Sequence, residues 1–169
     1  MDLYLLRHGT AYEMGENNCF LDADRALNPT GVHEIQLVAQ ALKKLGLRFD
    51  HMLSSPLRRA TETARIVSDR LGGQISCQQI NALLPDRPPD LLARELNGYL
   101  SKTNHLLLVG HEPCLGSLAT YLMTGKPRPV VVNLKKAGLA KLTADVPRPG
   151  SFSLDWLVEP ALLGLTEHA

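Results

Sequence analysis

Short apolar runs that end in polar clusters, alternating with stretches of helical period, constrain this chain more than any other feature. Asp2 to Leu6 is apolar and breaks at Arg7-His8-Gly9, as a buried strand running into a loop does. Residues 9 to 28 show no period and read as a long loop. Asn28-Pro29-Thr30-Gly31 punctuates, with Thr30 as an expected N-cap, and Ile35, Val38, Leu42 and Leu45 then recur on one helix face until Gly46. Residues 50 to 54 predict a second strand. Ser55-Pro56 reads as an N-cap followed by proline at the first helical position. Leu57, Ala60, Ala64, Val67 and Leu71 form the buried stripe of that helix, which Gly72-Gly73 ends.

A third strand is expected around Gln74 to Gln78, a stiff connector from Pro85 to Pro89, and a helix over residues 90 to 101. His105 to Val109 is the clearest buried strand; Gly110-His111-Glu112-Pro113 breaks it, and a helix over residues 114 to 124 follows. Val130 to Leu134, Gly138 to Thr143 and Ser151 to Val158 predict late strands in an antiparallel section, whose order the sequence does not give. Strand-helix alternation implies an α/β, three-layer sandwich: a mostly parallel central sheet with helices on both faces. At 169 residues the chain is expected to be a single domain, residues 1 to 169.

The polar clusters matter because of where they fall. Arg7-His8-Gly9, Ser54-Ser55-Pro56-Leu57-Arg58-Arg59-Ala60 and Gly110-His111-Glu112 each follow a predicted strand. Open α/β sheets bind ligands beyond the carboxyl ends of their parallel strands. If these strands are neighbours, two histidines and one or two arginines share a pocket. Arginine forks match phosphoryl oxygens and stay charged. A neutral imidazole beside them is a competent nucleophile, because neighbouring positive charge disfavours its protonation. A second histidine, if protonated, completes the anion cage.

Each cluster also has a plain structural reading. A histidine in a strand-end loop is more often structural than catalytic, and paired arginines in a first helical turn usually form a solvated face. His111-Glu112-Pro113-Cys114 lacks a second ligand pair at zinc spacing, so no metal is expected. Arg25 reads as a rim charge, His33 and His51 as structural, and His105 and His168 attract no role.

Taken together, Leu5-Leu6-Arg7-His8-Gly9, Ser55-Pro56-Leu57-Arg58-Arg59-Ala60-Thr61-Glu62-Thr63-Ala64 and Val109-Gly110-His111-Glu112-Pro113 resemble, in order and spacing, the histidine phosphatase (phosphoglycerate mutase-like) superfamily. Arg25-Ala26-Leu27-Asn28-Pro29-Thr30-Gly31 also looks like the loop before that family's first helix. The resemblance implies that His8 takes the phosphoryl group and that Arg7, Arg59 and His111 bind it. Arg58 is not carried over.

Larger mutase-type members carry insertions that cover the site and supply a glutamate acid. This chain has only a short connector there, and Arg7-His8-Gly9-Thr10-Ala11 lacks the Glu that often follows the Gly in the sugar-phosphate branch. Both features resemble the short SixA-type branch, which implies a phosphatase acting on phosphohistidine in proteins. Phosphate esters expel an alkoxide and need a positioned acid, whereas phosphohistidine expels imidazole and tolerates a weak one or none. Glu112, Asp86 and Glu13 are the acids the sequence offers; each also reads as a surface carboxylate, and none is assigned. Two alternatives stand: a small-molecule phosphomonoesterase, and a phosphate-binding adapter without turnover.

Composition narrows the partners. Eighteen Lys and Arg balance 17 Asp and Glu, for a formal net charge of +1. With so few aromatic residues, that balance disfavours nucleic acid. No apolar run approaches the roughly 20 residues of a membrane span, and no signal peptide is visible at Met1-Asp2-Leu3-Tyr4. The widely spaced cysteines Cys19, Cys77 and Cys114 read as reduced thiols of a cytoplasmic protein. Phosphate and a phosphohistidine protein are the expected partners; no cofactor is expected.

Overall fold

The structure, a computed structural model, describes residues 1–163. In chain order its main elements are β1 (Asp2–Arg7), α1 (Pro29–Lys44), β2 (His51–Ser54), α2 (Arg58–Arg70), β3 (Cys77–Gln79), α3 (Pro89–Leu100), β4 (His105–Gly110), α4 (Cys114–Thr124), β5 (Leu139–Thr143), β6 (Ser153–Val158) and α5 (Pro160–Leu163). His168 lies outside the described residues.

The strands form one six-stranded sheet in the order β3-β2-β4-β1-β5-β6. The four on the β3 side, through β1, are mutually parallel; β5 and β6 close the sheet antiparallel. Each inner strand sends alternate residues to opposite faces, as a pleated strand must. Leu3 and Leu5 of β1 join Leu106 and Leu108 of β4 under α3 and α4. Tyr4 and Leu6 join Leu107 and Val109 under α1 and α2. Both faces are thus apolar and covered, which explains why β1 and β4 read as continuous apolar runs rather than alternating ones.

β1 and β4 pair in parallel from Asp2↔His105 to Arg7↔Gly110, and Ser54 of β2 lies beside Val109. All three strand ends named by the sequence therefore stop at one level, side by side. The chain leaves β1 toward α1 on one face and leaves β4 toward α4 on the other. The crevice between them is the switch point of the sheet.

Three local expectations are corrected. Helix α1 is capped by Asn28, not Thr30: Asn28 Oδ1 accepts from the Gly31 N–H at 2.9 Å and Pro29 is the first helical residue. Helix α2 begins at Arg58 with Leu57 as N-cap, because the Ser55 hydroxyl is turned into the strand-end crevice. Residues 130–134 form no strand. The Val131 N–H donates to Thr120 Oγ1 at 3.0 Å and the Leu134 N–H to Glu112 Oε1 at 2.9 Å, so side chains take the donors a ladder would need.

Candidate active site

The crevice is assembled by close backbone approach. A Cβ on Gly9 would lie 2.7 Å from the Gly31 carbonyl oxygen, and one on Gly31 would collide with the backbone of Thr10. These two glycines let the N-terminus of α1 sit directly on the turn after β1. Glu34, one helical turn along, accepts the Thr10 N–H at 2.8 Å and its hydroxyl at 3.1 Å. On the other side, Thr63 Oγ1 accepts the Gly9 N–H at 3.3 Å while donating to the Arg59 carbonyl at 2.8 Å. Glu62 accepts the Leu27 N–H at 2.7 Å. Glu62 and Thr63 thus fasten α2 to the loop that begins at His8.

His8 follows β1, is 7% exposed, and is held at both ring nitrogens. Its Nδ1–H donates to the carbonyl of Gly9 at 2.7 Å, which leaves Nε2 with a lone pair; Arg59 Nε donates to it at 3.3 Å. Burial, then the positive charges of Arg59 and Arg7, push the His8 pKa down to about 3 against the opposing Gly9 hydrogen bond. The ring is neutral at neutral pH.

His111 follows β4, with its ring centroid 4.9 Å from that of His8. Its Nε2 is 2.8 Å from Ser55 Oγ, and Ser55 Oγ also accepts the Leu57 N–H at 3.3 Å. Burial first, then His8 and Arg59, lower its pKa to about 3. At that value the His111 ring is neutral at neutral pH.

Arg7 and Arg59 flank the histidines. Arg7 Nη1 donates to the Leu134 carbonyl at 2.8 Å, and the N–H of the same residue donates to Glu112. Arg59 is buried rather than solvated, whereas Arg58 points outward and pairs with Glu62 at 2.9 Å. Two buried nitrogens here have no hydrogen-bond partner, Arg7 Nε, a donor, and His111 Nδ1, a donor when Ser55 donates to Nε2. Unpaired buried polar atoms are costly, and two in one crevice beside an imidazole lone pair mark a place built for an acceptor-rich ligand.

The sequence-named carboxylates divide. Glu112 is half-buried and accepts backbone N–H groups of Leu134 and Gly116, so it is engaged in holding the 130–134 segment; burial raises its pKa. Glu13 pairs with Arg25 at 3.0 Å, and Asp86 is exposed in the connector before α3. A residue the sequence did not single out, Asp22, reaches the site instead. Its carboxylate accepts from Arg59 Nη2 at 3.0 Å and its carbonyl from Nη1 at 2.8 Å. His33 and His51 are exposed, His51 lying edge-on to Tyr99, and His105 sits at the far end of the sheet beside Asp2.

Among the described residues no three His, Cys, Asp or Glu side chains group as a metal site, and Cys19, Cys77 and Cys114 are free thiols. No helix among the described residues is long and apolar enough to cross a membrane.

Residues 3–83 match the family model described as histidine phosphatase superfamily (branch 1). An uncharacterized protein of Picosynechococcus sp. is 36% identical over 149 residues, 88% of either chain. Phosphohistidine phosphatase SixA of Escherichia coli is 26% identical over 168 residues, 99% of either chain. The solved structure of the protein histidine phosphatase SixA complexed with tungstate matches with a TM-score of 0.83 at 26% identity, covering 96% of this chain and 99% of that one. Family match, full-length sequence likeness and structural likeness agree: this chain belongs to the histidine phosphatase superfamily.

Proposed function

We propose that this chain is a cytoplasmic phosphatase that removes phosphoryl groups from phosphohistidine on proteins, through a phosphohistidine intermediate on His8. The observation that carries the reading is the pairing of a neutral, oriented His8 with two unpaired buried nitrogens, Arg7 Nε and His111 Nδ1.

The Gly9 carbonyl fixes the His8 proton on Nδ1, so the Nε2 lone pair is the nucleophile and needs no base to expose it. Attack in line forms the bond from Nε2 to phosphorus and breaks the bond to the leaving imidazole. That imidazole takes its proton on the ring nitrogen remote from phosphorus, where solvent supplies it. An acid at the scissile atom is therefore dispensable, which fits a crevice whose nearest sequence-named carboxylate, Glu112, is already committed to two backbone groups. Water then attacks the phosphoenzyme, orthophosphate leaves, and Nε2 recovers its lone pair.

Arg7, Arg59 and His111 bind the equatorial oxygens. With the Ser55 hydroxyl hydrogen directed to His111 Nε2, the ring proton sits on Nδ1 and meets a phosphoryl oxygen. A neutral donor suffices, because the two guanidinium groups carry the positive charge that a loose transition state requires. Substrate access supports a protein ligand. Only a one-turn helix, Asn81–Leu83, and a short connector separate β3 from α3, so no inserted lid stands there. No metal or organic cofactor enters the scheme.

The test measures phosphate release from a phosphohistidine protein, a phosphoserine protein and para-nitrophenyl phosphate, for the native chain and His8→Ala. Preferential release from phosphohistidine that vanishes in His8→Ala is the expected result. Release from small esters alone would move the function to a phosphomonoesterase, and tight phosphate binding without release would make the chain an adapter.

A further inference from the structure

The guanidinium assigned above to the phosphoryl group is already engaged within the fold. Nη1 and Nη2 of Arg59 both donate to Asp22, one to its carbonyl and one to its carboxylate, while Nε faces His8. To an arginine fork, a carboxylate and a phosphoryl group offer the same thing, charged oxygens at hydrogen-bond distance. We propose that Asp22 is an internal competitor for Arg59 that sets the affinity of the pocket for phosphoryl groups, and that a phosphoryl dianion binds by displacing its carboxylate. The inference rests on the phosphatase reading and adds a residue that determines binding.

Burial decides which partner moves. The Arg59 side chain is 6% exposed and fixed between His8 and the loop, whereas that of Asp22 is 54% exposed. Asp22 has water on one side and a second partner on the other, for its Oδ1 already accepts from Arg25 Nη1 at 3.1 Å. On leaving Arg59 it remains paired. Arg25 itself stays anchored, donating from Nε to the Tyr12 carbonyl at 2.6 Å and pairing with Glu13. The exchange therefore needs only a shift of one side chain in the Asp22–Asp24 turn, not unfolding of the loop. It favours the dianion because two negative charges replace one against Arg59 and Arg7 together. A carboxylate on a single-charged ligand gains nothing over the one it would evict.

The experiment is a calorimetric titration of orthophosphate into the native chain, Asp22→Asn and Asp22→Ala. Thermal unfolding is recorded for each to confirm the same fold. Both variants are expected to bind orthophosphate about fivefold more tightly, the weight of one partly exposed ion pair. Unchanged or weaker binding in both would overturn the inference and make Asp22 a support that positions Arg59. Tighter binding in the variants, combined with failure of the turnover test, would leave the competitor in place and remove only the phosphatase reading. No orthophosphate binding by any of the three chains would sink the phosphoryl pocket and the competitor together.

Discussion

Arg59 Nε donates to His8 Nε2 across 3.3 Å, although 51 residues separate them in the chain. One guanidinium thus faces the His8 lone pair through Nε and holds Asp22 through its other two nitrogens; in the proposed reaction the Asp22 carboxylate gives way to a phosphoryl oxygen. Lysine can reproduce the charge but not this geometry. Arg59→Lys is expected to lower kcat by about a hundredfold, within the range for removing one transition-state donor. Single-turnover phosphate release checks it, and a loss confined to KM would contradict the role.

Ser55 holds His111 from the far side of the crevice. Ser55→Ala removes the hydroxyl from Nε2 and frees the ring to turn and to exchange its tautomer. We expect kcat to fall by about tenfold, as for one neutral hydrogen bond, while Ser55→Thr retains most activity. Equal activity in Ser55→Ala would show that His111 is held by packing alone.

Gly31 is where α1 meets the turn after β1. A methyl group there has no room against Thr10, so Gly31→Ala is expected to destabilise the fold by about 1–3 kcal/mol as the helix is pushed away from His8. Urea unfolding measures this. Gly98→Ala in α3, where a Cβ meets nothing within 4 Å, is the control and is expected to be neutral or stabilising.

The two histidines also make stability depend on pH. Their ordinary value is 6.5, and in the folded chain both are lowered to about 3. Between those values the unfolded chain binds more protons than the folded one. Stability is therefore fully present above about pH 6.5 and is lost as the pH falls toward 3, by at most about 1.4 kcal/mol per pH unit for each histidine. Urea midpoints between about pH 6.5 and about pH 5 lie above the ordinary carboxylate range; Glu112, whose pKa burial raises, acts against the histidine slope at the acid end. His111→Gln should remove about half of the slope, and an unchanged slope would place the titrating groups elsewhere.

What the sequence makes legible follows from how much each residue depends on its distant neighbours. The apolar runs of β1 and β4 declare themselves because both faces of a central parallel strand are buried. Arg7, His8, Arg59 and His111 are legible because each stands at a strand or helix end, where the sheet's own geometry delivers it to the crevice. Asp22 is not: it lies in an aperiodic loop, and only the tertiary course of residues 9–28 brings it to Arg59. Ser55 misleads in an informative way. Ser-Pro before a helix is sound capping chemistry, yet the hydroxyl serves His111 and the helix starts later. Val130 to Leu134 has the composition of a strand, but Thr120 and Glu112 supply the acceptors that a neighbouring strand would have given.

The position of β4 between β2 and β1 has a consequence for the chain as it is made. When β1, α1, β2, α2 and β3 have left the ribosome, His8 and Arg59 are both present, but β1, which leads into His8, and β2, which leads into the helix of Arg59, have no common edge. The gap between them is one strand wide, and its filler is still unsynthesised. β4 completes the centre of the sheet and brings His111 in the same event, so core and pocket come into being together, late and by long-range pairing. A chain cut short before that strand would carry His8 and Arg59 with no crevice to hold them, and on the proposed mechanism such an incomplete product of translation is silent.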